Sequence, residues 1–267
     1  MLVLATILDN PGEPPAETQY RNPQVLRDLG YTGVVDYATT GLSGLLTPDT
    51  PGDAEMRQWV GEQYQQTRRT LADARSAGLD VYLTYDAPTL SRELVGSAMT
   101  CTDQPDVLCP AAYELMDMSG QCLEGLIKQF DPVAGVVLRL GDTDAHRLSF
   151  LIGNDVYAPH CARCGSMGRA HRLDRYIRFF YDLVVQKLDR QLIVRAWNVR
   201  PGGLHDQVDL AARVANMLPI DDRLILSFKF TQTDFWRYQP WNPSSLVFGD
   251  RPIIYELECQ REFEGKG

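Results

Sequence analysis

The stretch LVLATILDNPGEPP, residues 2–15, decides between two folds. Residues 2–8 form a short β-type apolar run, and a polar, proline-rich loop follows directly. A doubly wound nucleotide-binding sheet needs a glycine-rich turn at that place, so that backbone N–H groups can approach a phosphate. LDNPGEPP is neither a GxGxxG turn nor a P-loop, so a (β/α) barrel is favoured wherever strands and helices alternate around it.

The rest of the chain alternates in that way. Further β-type runs fall at 32–39, 79–86, 133–142, 190–199, 223–234 and 251–260. Amphipathic helical stretches lie between them: a short one closing at Gly30, then 55–78 with Gly78 as its stop, 111–130, 173–189 and 208–218. With no break in the alternation and no linker, residues 1–267 read as one domain of the α/β class, a (β/α)8 TIM-type barrel. That fold needs eight strands and seven are found. The expectation is therefore a chain truncated at its C-terminus, or an eighth position filled by something irregular; a missed strand is the plainer alternative.

Composition narrows the partners. The chain is 44% hydrophobic and 23% charged, as in water-soluble domains, with a net charge of −9 and a pI near 5.0. No basic run stands out, which argues against nucleic acid and anionic membrane surfaces. No apolar run approaches the ~20 residues of a membrane span. The first strand lacks a preceding positive charge and a cleavage site, so the chain as written reads as cytoplasmic, or as secreted or periplasmic if the natural N-terminus lies further upstream. A small molecule or neutral polymer is the expected partner; oligomeric state is not legible.

Six cysteines in 267 residues are too sparse for a disulfide scaffold. PHCARCGSMGRAH gathers His160, Cys161, Cys164 and His171, and a CxxC can chelate zinc. A second CxxC or a spaced HxxxH is lacking, so structural zinc, a local disulfide and free thiols all stay open, as does the state of Cys101 and Cys109 around TDQPDVL. No metal or other cofactor is expected in the chemistry, because no histidine falls in a predicted strand.

In such barrels the carboxyl ends of the strands form the functional face. Those ends carry Tyr85 and Asp86; Arg139, Asp142 and Asp144; Arg195, Trp197 and Asn198; Lys229 and Gln232; and Glu256 and Glu258. Period-two alternation puts Ile254, Glu256, Glu258 and Gln260 on one face and Ile253, Tyr255, Leu257 and Cys259 on the other. The apolar set should meet helices; partners for the glutamates are available by the same parity, where Arg195 and Trp197 share a face, as do Ser227, Lys229 and Thr231, and Asp142 or Asp144 can face Glu256 or Glu258 across the mouth. A buried ion-pair network that only holds the barrel together is the structural alternative. Carboxylates on opposite sides of a cavity suit glycoside cleavage, where one protonates the leaving oxygen and the other attacks or activates water. Arginine and lysine could hold a sugar carboxylate. The loop TQTDFWRYQPWNP, residues 231–243, brings Trp236 and Trp241 near the mouth, either to stack on a sugar ring or to pin the loop to the rim.

At GVVLRLGDTD, IVRAWNVRPGG, SFKFTQTDFWRYQPWNP and YELECQREFEGKG the chain resembles the α-glucuronidase-like and related uncharacterised barrel glycoside hydrolases. The resemblance implies a hydrolase of a uronic-acid-containing glycan, a role in polysaccharide degradation, and a catalytic pair at the ends of the fourth and seventh strands. Carried over, Asp142 is the acid/base and Glu258, with Glu256 beside it, the second carboxylate. The relatives usually carry glutamate where this chain has Asp142, which leaves the stereochemical outcome open and admits a non-catalytic carbohydrate-binding barrel as the second reading.

Overall fold

In a computed structural model, the structure describes residues 1–7, 17–46, 52–102, 104–141, 148–153, 155–197, 201–233 and 238–257. In chain order the strands are β1 (Leu4–Thr6), β2 (Gly33–Asp36), β3 (Asp80–Ala87), β4 (Thr89–Ser91), β5 (Thr100–Cys101), β6 (Gln104–Leu108), β7 (Gly135–Leu140), β8 (Leu151–Gly153), β9 (Gln191–Arg195), β10 (Leu224–Lys229) and β11 (Ile253–Glu256). The helices are α1 (Pro23–Asp28), α2 (Ala54–Ser76), α3 (Tyr113–Phe130), α4 (Ala162–Gly165), α5 (Arg169–Tyr181, extended by a π-helical turn, Asp182–Lys187) and α6 (Val208–Met217).

One curled sheet carries all seven expected strands, in the order β1-β2-β3-β7-β9-β10-β11 and parallel throughout. This is the strand order of an α/β barrel wall, each strand beside its predecessor, and it is an incomplete barrel of seven strands among the described residues. Parallel neighbours need a crossover, and α1, α2, α3, α5 and α6 supply five of the six. The sixth departs from the expected alternation: between β10 and β11 the described chain has a 3-10 turn, Pro243–Phe248, and no α-helix.

Alternation along each strand sorts the side chains into two layers. Val81, Leu83 and Tyr85 of β3, Val136, Leu138 and Leu140 of β7, Leu192 and Val194 of β9 and Leu224, Leu226 and Phe228 of β10 join the main core under the helices. The opposite, concave face has a smaller apolar floor of Tyr82, Val137, Ile193 and Ile225, with Leu4, Val35 and Ile254 against it. Above that floor, toward the carboxyl ends, the inward positions turn polar.

The loops after β3 and β7 are long and carry two small sheets of their own, β4 with β8 and β5 with β6, both antiparallel. The β4–β8 pair ties the two loops to one another. The turn after β2 docks on the same region: Gly44 accepts a hydrogen bond from the Ser91 amide (2.9 Å) and takes φ +77°. A Cβ on Gly44 would lie 2.4 Å from the Thr89 carbonyl oxygen and 2.5 Å from Leu90 Cα, both backbone atoms that cannot step aside. Gly44→Ala should therefore cost about 2 kcal/mol. Gly61→Ala, at a helical site with nothing within 4 Å, should stabilise by up to about 1 kcal/mol. Urea denaturation of the two variants checks both signs.

Candidate active site at the carboxyl ends of the strands

Strand register places the charges in rows. Asp86 of β3 is opposite Arg139 of β7, Arg139 is opposite Arg195 of β9, and Arg195 is opposite Ser227 of β10. One step further along, Lys229 of β10 is opposite Glu256 of β11. All lie on the concave face, directly above the apolar floor; Asp86, Arg139, Ser227 and Lys229 are buried there, and Arg195 and Glu256 keep partial contact with solvent.

The contacts follow from that register. Arg139 and Asp86, each 1% exposed, form an ion pair with Nε and Oδ1 3.4 Å apart, and the Arg139 guanidinium sits 4.8 Å from the centre of the Tyr37 ring. Arg195 Nε donates to both oxygens of Glu256, at 3.0 and 3.1 Å, and the Ser227 hydroxyl donates to Glu256 Oε1 at 2.8 Å. Lys229 Nζ lies 3.6 Å from the centre of the Trp197 ring, a cation–π contact. Burial alone would raise the Glu256 carboxyl, but Arg195, Ser227 and Lys229 more than offset it and hold it below the ordinary glutamate value. Glu256 is thus held as a carboxylate, fit to act as base, nucleophile or electrostatic partner and unfit to donate a proton near neutrality.

A buried histidine that sequence reading passed over braces this site. His205, 1% exposed in the loop after β9, packs edge-on against Trp197 at 4.9 Å. Its Nε2 lies 3.1 Å from the carbonyl oxygens of both Thr231 and Thr233, while Asn242 Nδ2 lies 3.1 Å from Nδ1. Burial is the largest influence on the ring and pushes its pKa below the ordinary histidine value; the Thr233 carbonyl pulls the other way, as do Thr231 and Glu256 more weakly, and Lys229 adds to the lowering. A neutral ring with hydrogen on Nε2 satisfies the whole arrangement, donating to the carbonyls and accepting from Asn242. His205 thereby joins the loops after β9 and β10 around Trp197. Its sequence context, PGGLHDQ, falls between elements and carries no periodic signal.

Other expected residues fall differently. Tyr85 is corrected: its side chain is on the helix side of β3, 0% exposed, with its hydroxyl donating to the Ser119 carbonyl at 2.8 Å and its ring 5.9 Å from Phe180. The alternation that turns Asp86 inward turns Tyr85 outward. Gln232 lies in the turn after β10, its backbone N–H donating to the Pro240 carbonyl at 3.0 Å. Trp241 is 52% exposed, pairs its backbone with Thr231, and packs on Tyr255 at 4.8 Å, so it pins this loop to the rim. Asp142, Asp144, Asn198, Trp236 and Glu258 lie outside the described residues. By sequence, Asp142 follows Gly141 just past β7, and Glu258 falls two residues past Glu256, the end of β11.

No family model matches the chain, and no curated protein matches it. Solved structures do. An O-GlcNAc hydrolase variant of Thermobaculum terrenum aligns with 85% of this chain and 40% of its own, at 11% identity and a TM-score of 0.51. The structure of CpGH84B aligns with 85% of this chain and 33% of its own, at 7% identity and a TM-score of 0.47. The first likeness shows a shared fold, and this chain spans well under half the length of either protein.

Proposed function

We propose that the chain is the barrel of a glycoside hydrolase whose site is the concave mouth at the carboxyl ends of β7, β9, β10 and β11. The observation that carries this reading is the layer of Asp86, Arg139, Arg195, Lys229 and Glu256, gathered at one end of the sheet above an apolar floor, with Trp197 as an aromatic wall. Similarity in fold to a barrel that hydrolyses O-GlcNAc supports the same reaction class. Asp142 is assigned the proton-donating role and Glu258, with Glu256 beside it in the sequence, the second carboxylate; Glu256 is already ionised. Arg139, Arg195 and Lys229 together outnumber Asp86 and Glu256 by one positive charge, and that excess favours a sugar bearing a carboxylate, such as a uronic acid.

A second reading, a carbohydrate-binding barrel without turnover, is favoured by one feature: Asp142 stands where the resembled hydrolases usually carry glutamate and is one methylene shorter. Hydrolysis of aryl glucuronides, aryl N-acetylglucosaminides and uronic-acid oligosaccharides separates the two. We expect turnover of at least one class, falling about a hundredfold or more in Asp142→Asn and in Glu258→Gln with the fold unchanged. Glycan binding without turnover in the parent, surviving Glu258→Gln, would establish the binding barrel instead.

A further inference from the structure

The largest cluster of metal-ligating side chains among the described residues is outside this site. Cys101 ends β5, Cys109 follows β6, Cys161 caps α4 and Cys164 lies within it. Two loops supply them in pairs, the one after β3 and the one after β7. Their four Sγ atoms all lie within 4.8 Å of one another, with Cys109 and Cys161 at 3.8 Å and Cys161 and Cys164 at 3.6 Å. A disulfide would bring two sulfurs to about 2.05 Å. Four thiolates around zinc at about 2.3 Å stand about 3.8 Å apart, along the edges of a tetrahedron.

We propose that Cys101, Cys109, Cys161 and Cys164 bind one zinc ion as a structural tetrathiolate site that clamps the loops after β3 and β7 together. Each cysteine surrenders its thiol proton to solvent, four sulfur–zinc bonds form, and the site carries a net charge of −2. The surroundings are built for that charge. Backbone amides of His160 and Cys161 donate to Cys164 Sγ at 3.1 and 3.3 Å. Arg163 stands beside Cys109, its guanidinium also donating to the carbonyls of Ala98 and Thr100 at 3.2 and 2.6 Å. Arg172, only 3% exposed, donates to the carbonyls of Val156, Cys164 and Tyr157, and of Met167, and so fixes the loop that presents Cys161 and Cys164. Arg163, on the surface, and Arg172, buried among carbonyls, thus set two positive charges beside the four sulfurs, and a dianionic centre there is the charge that they neutralise.

A closed set of four sulfurs leaves no position for substrate, so the role is structural. Its place gives it a consequence. The clamped loops leave the sheet from the strands that hold Asp86 and Arg139, and the β4–β8 pair already joins them.

Metal analysis of the full chain, produced in zinc-supplemented medium and dialysed against weak chelator, tests this directly. We expect one zinc per chain, released in proportion as a mercurial reagent modifies the thiols of the folded parent. We also expect cobalt(II) exchange to give thiolate-to-cobalt charge transfer with the intense d–d bands of a tetrahedral site. Cys109→Ser and Cys164→Ser should each lose the metal, while Cys122→Ser, in α3 and outside the cluster, keeps it. The mercurial titration uses only the parent, so it decides the matter even where a serine variant does not fold. A metal-free parent with all its thiols reactive, disulfides mapped among the four cysteines, or a tetrathiolate iron spectrum in the protein as purified would overturn the proposal.

Discussion

Asp86→Asn is expected to destabilise the protein by about 3–5 kcal/mol, the cost of removing the carboxylate that pairs with the buried Arg139 guanidinium. Arg139 is 1% exposed, stands next to the apolar floor and cannot shed its proton, so it has no means of becoming neutral. The effect should show as a lower urea midpoint at unchanged slope. The double variant Asp86→Asn/Arg139→Met removes both charges, keeps most of the volume, and should recover much of the loss. If the single variant costs less than about 1 kcal/mol, the Asp86–Arg139 ion pair contributes no more than a surface pair would. If the double variant is no better than the single one, Arg139 contributes mainly through Tyr37 and its packing rather than through the ion pair.

Glu256→Ala should cost about 3 kcal/mol, toward the lower end for a broken ion pair because Glu256 and Arg195 keep partial contact with solvent. Two donors, Arg195 Nε and the Ser227 hydroxyl, lose their acceptor together. The pH dependence has a definite sign. The folded Glu256 carboxyl lies below its ordinary value of 4.5, so its contribution is fully present above that value and is lost as pH falls through the lower folded one. The stability gap between the parent and Glu256→Gln should accordingly be constant near neutrality and narrow in acid, below about pH 4. A gap that stays level down to pH 3 would show that the carboxylate charge is not what Arg195 and Ser227 hold. Chemical denaturation at a series of pH values measures it.

Much of this architecture is written in local pattern. Seven runs of β-type residues, the helices between most of them and the stops at Gly30 and Gly78 depend on periodicity and on glycine's access to positive φ, both properties of short stretches of chain. Alternation along β11 also sufficed to send Glu256 inward and Ile253 and Tyr255 outward. The same rule, applied to β3, turns Tyr85 toward α3 and α5 and away from the mouth.

Only the tertiary structure could decide what depends on which strands are neighbours and how they are staggered. Register between β3 and β7 makes Asp86 the partner of Arg139, and register across β9, β10 and β11 brings Arg195 and Ser227 to Glu256; neither is a function of spacing along the chain. His205 is held by Thr231, Thr233 and Asn242 across 26 to 37 residues, in loops with no period to read. The cysteines show the division most plainly. A single CxxC is half a zinc site, and its other half, Cys101 and Cys109, comes from an earlier loop, Cys109 standing 52 residues before Cys161, because β4 pairs with β8 and closes two loops on each other. Local chemistry fixes what each segment can form. Long-range pairing fixes which charges and thiols meet, and the site is made of those meetings.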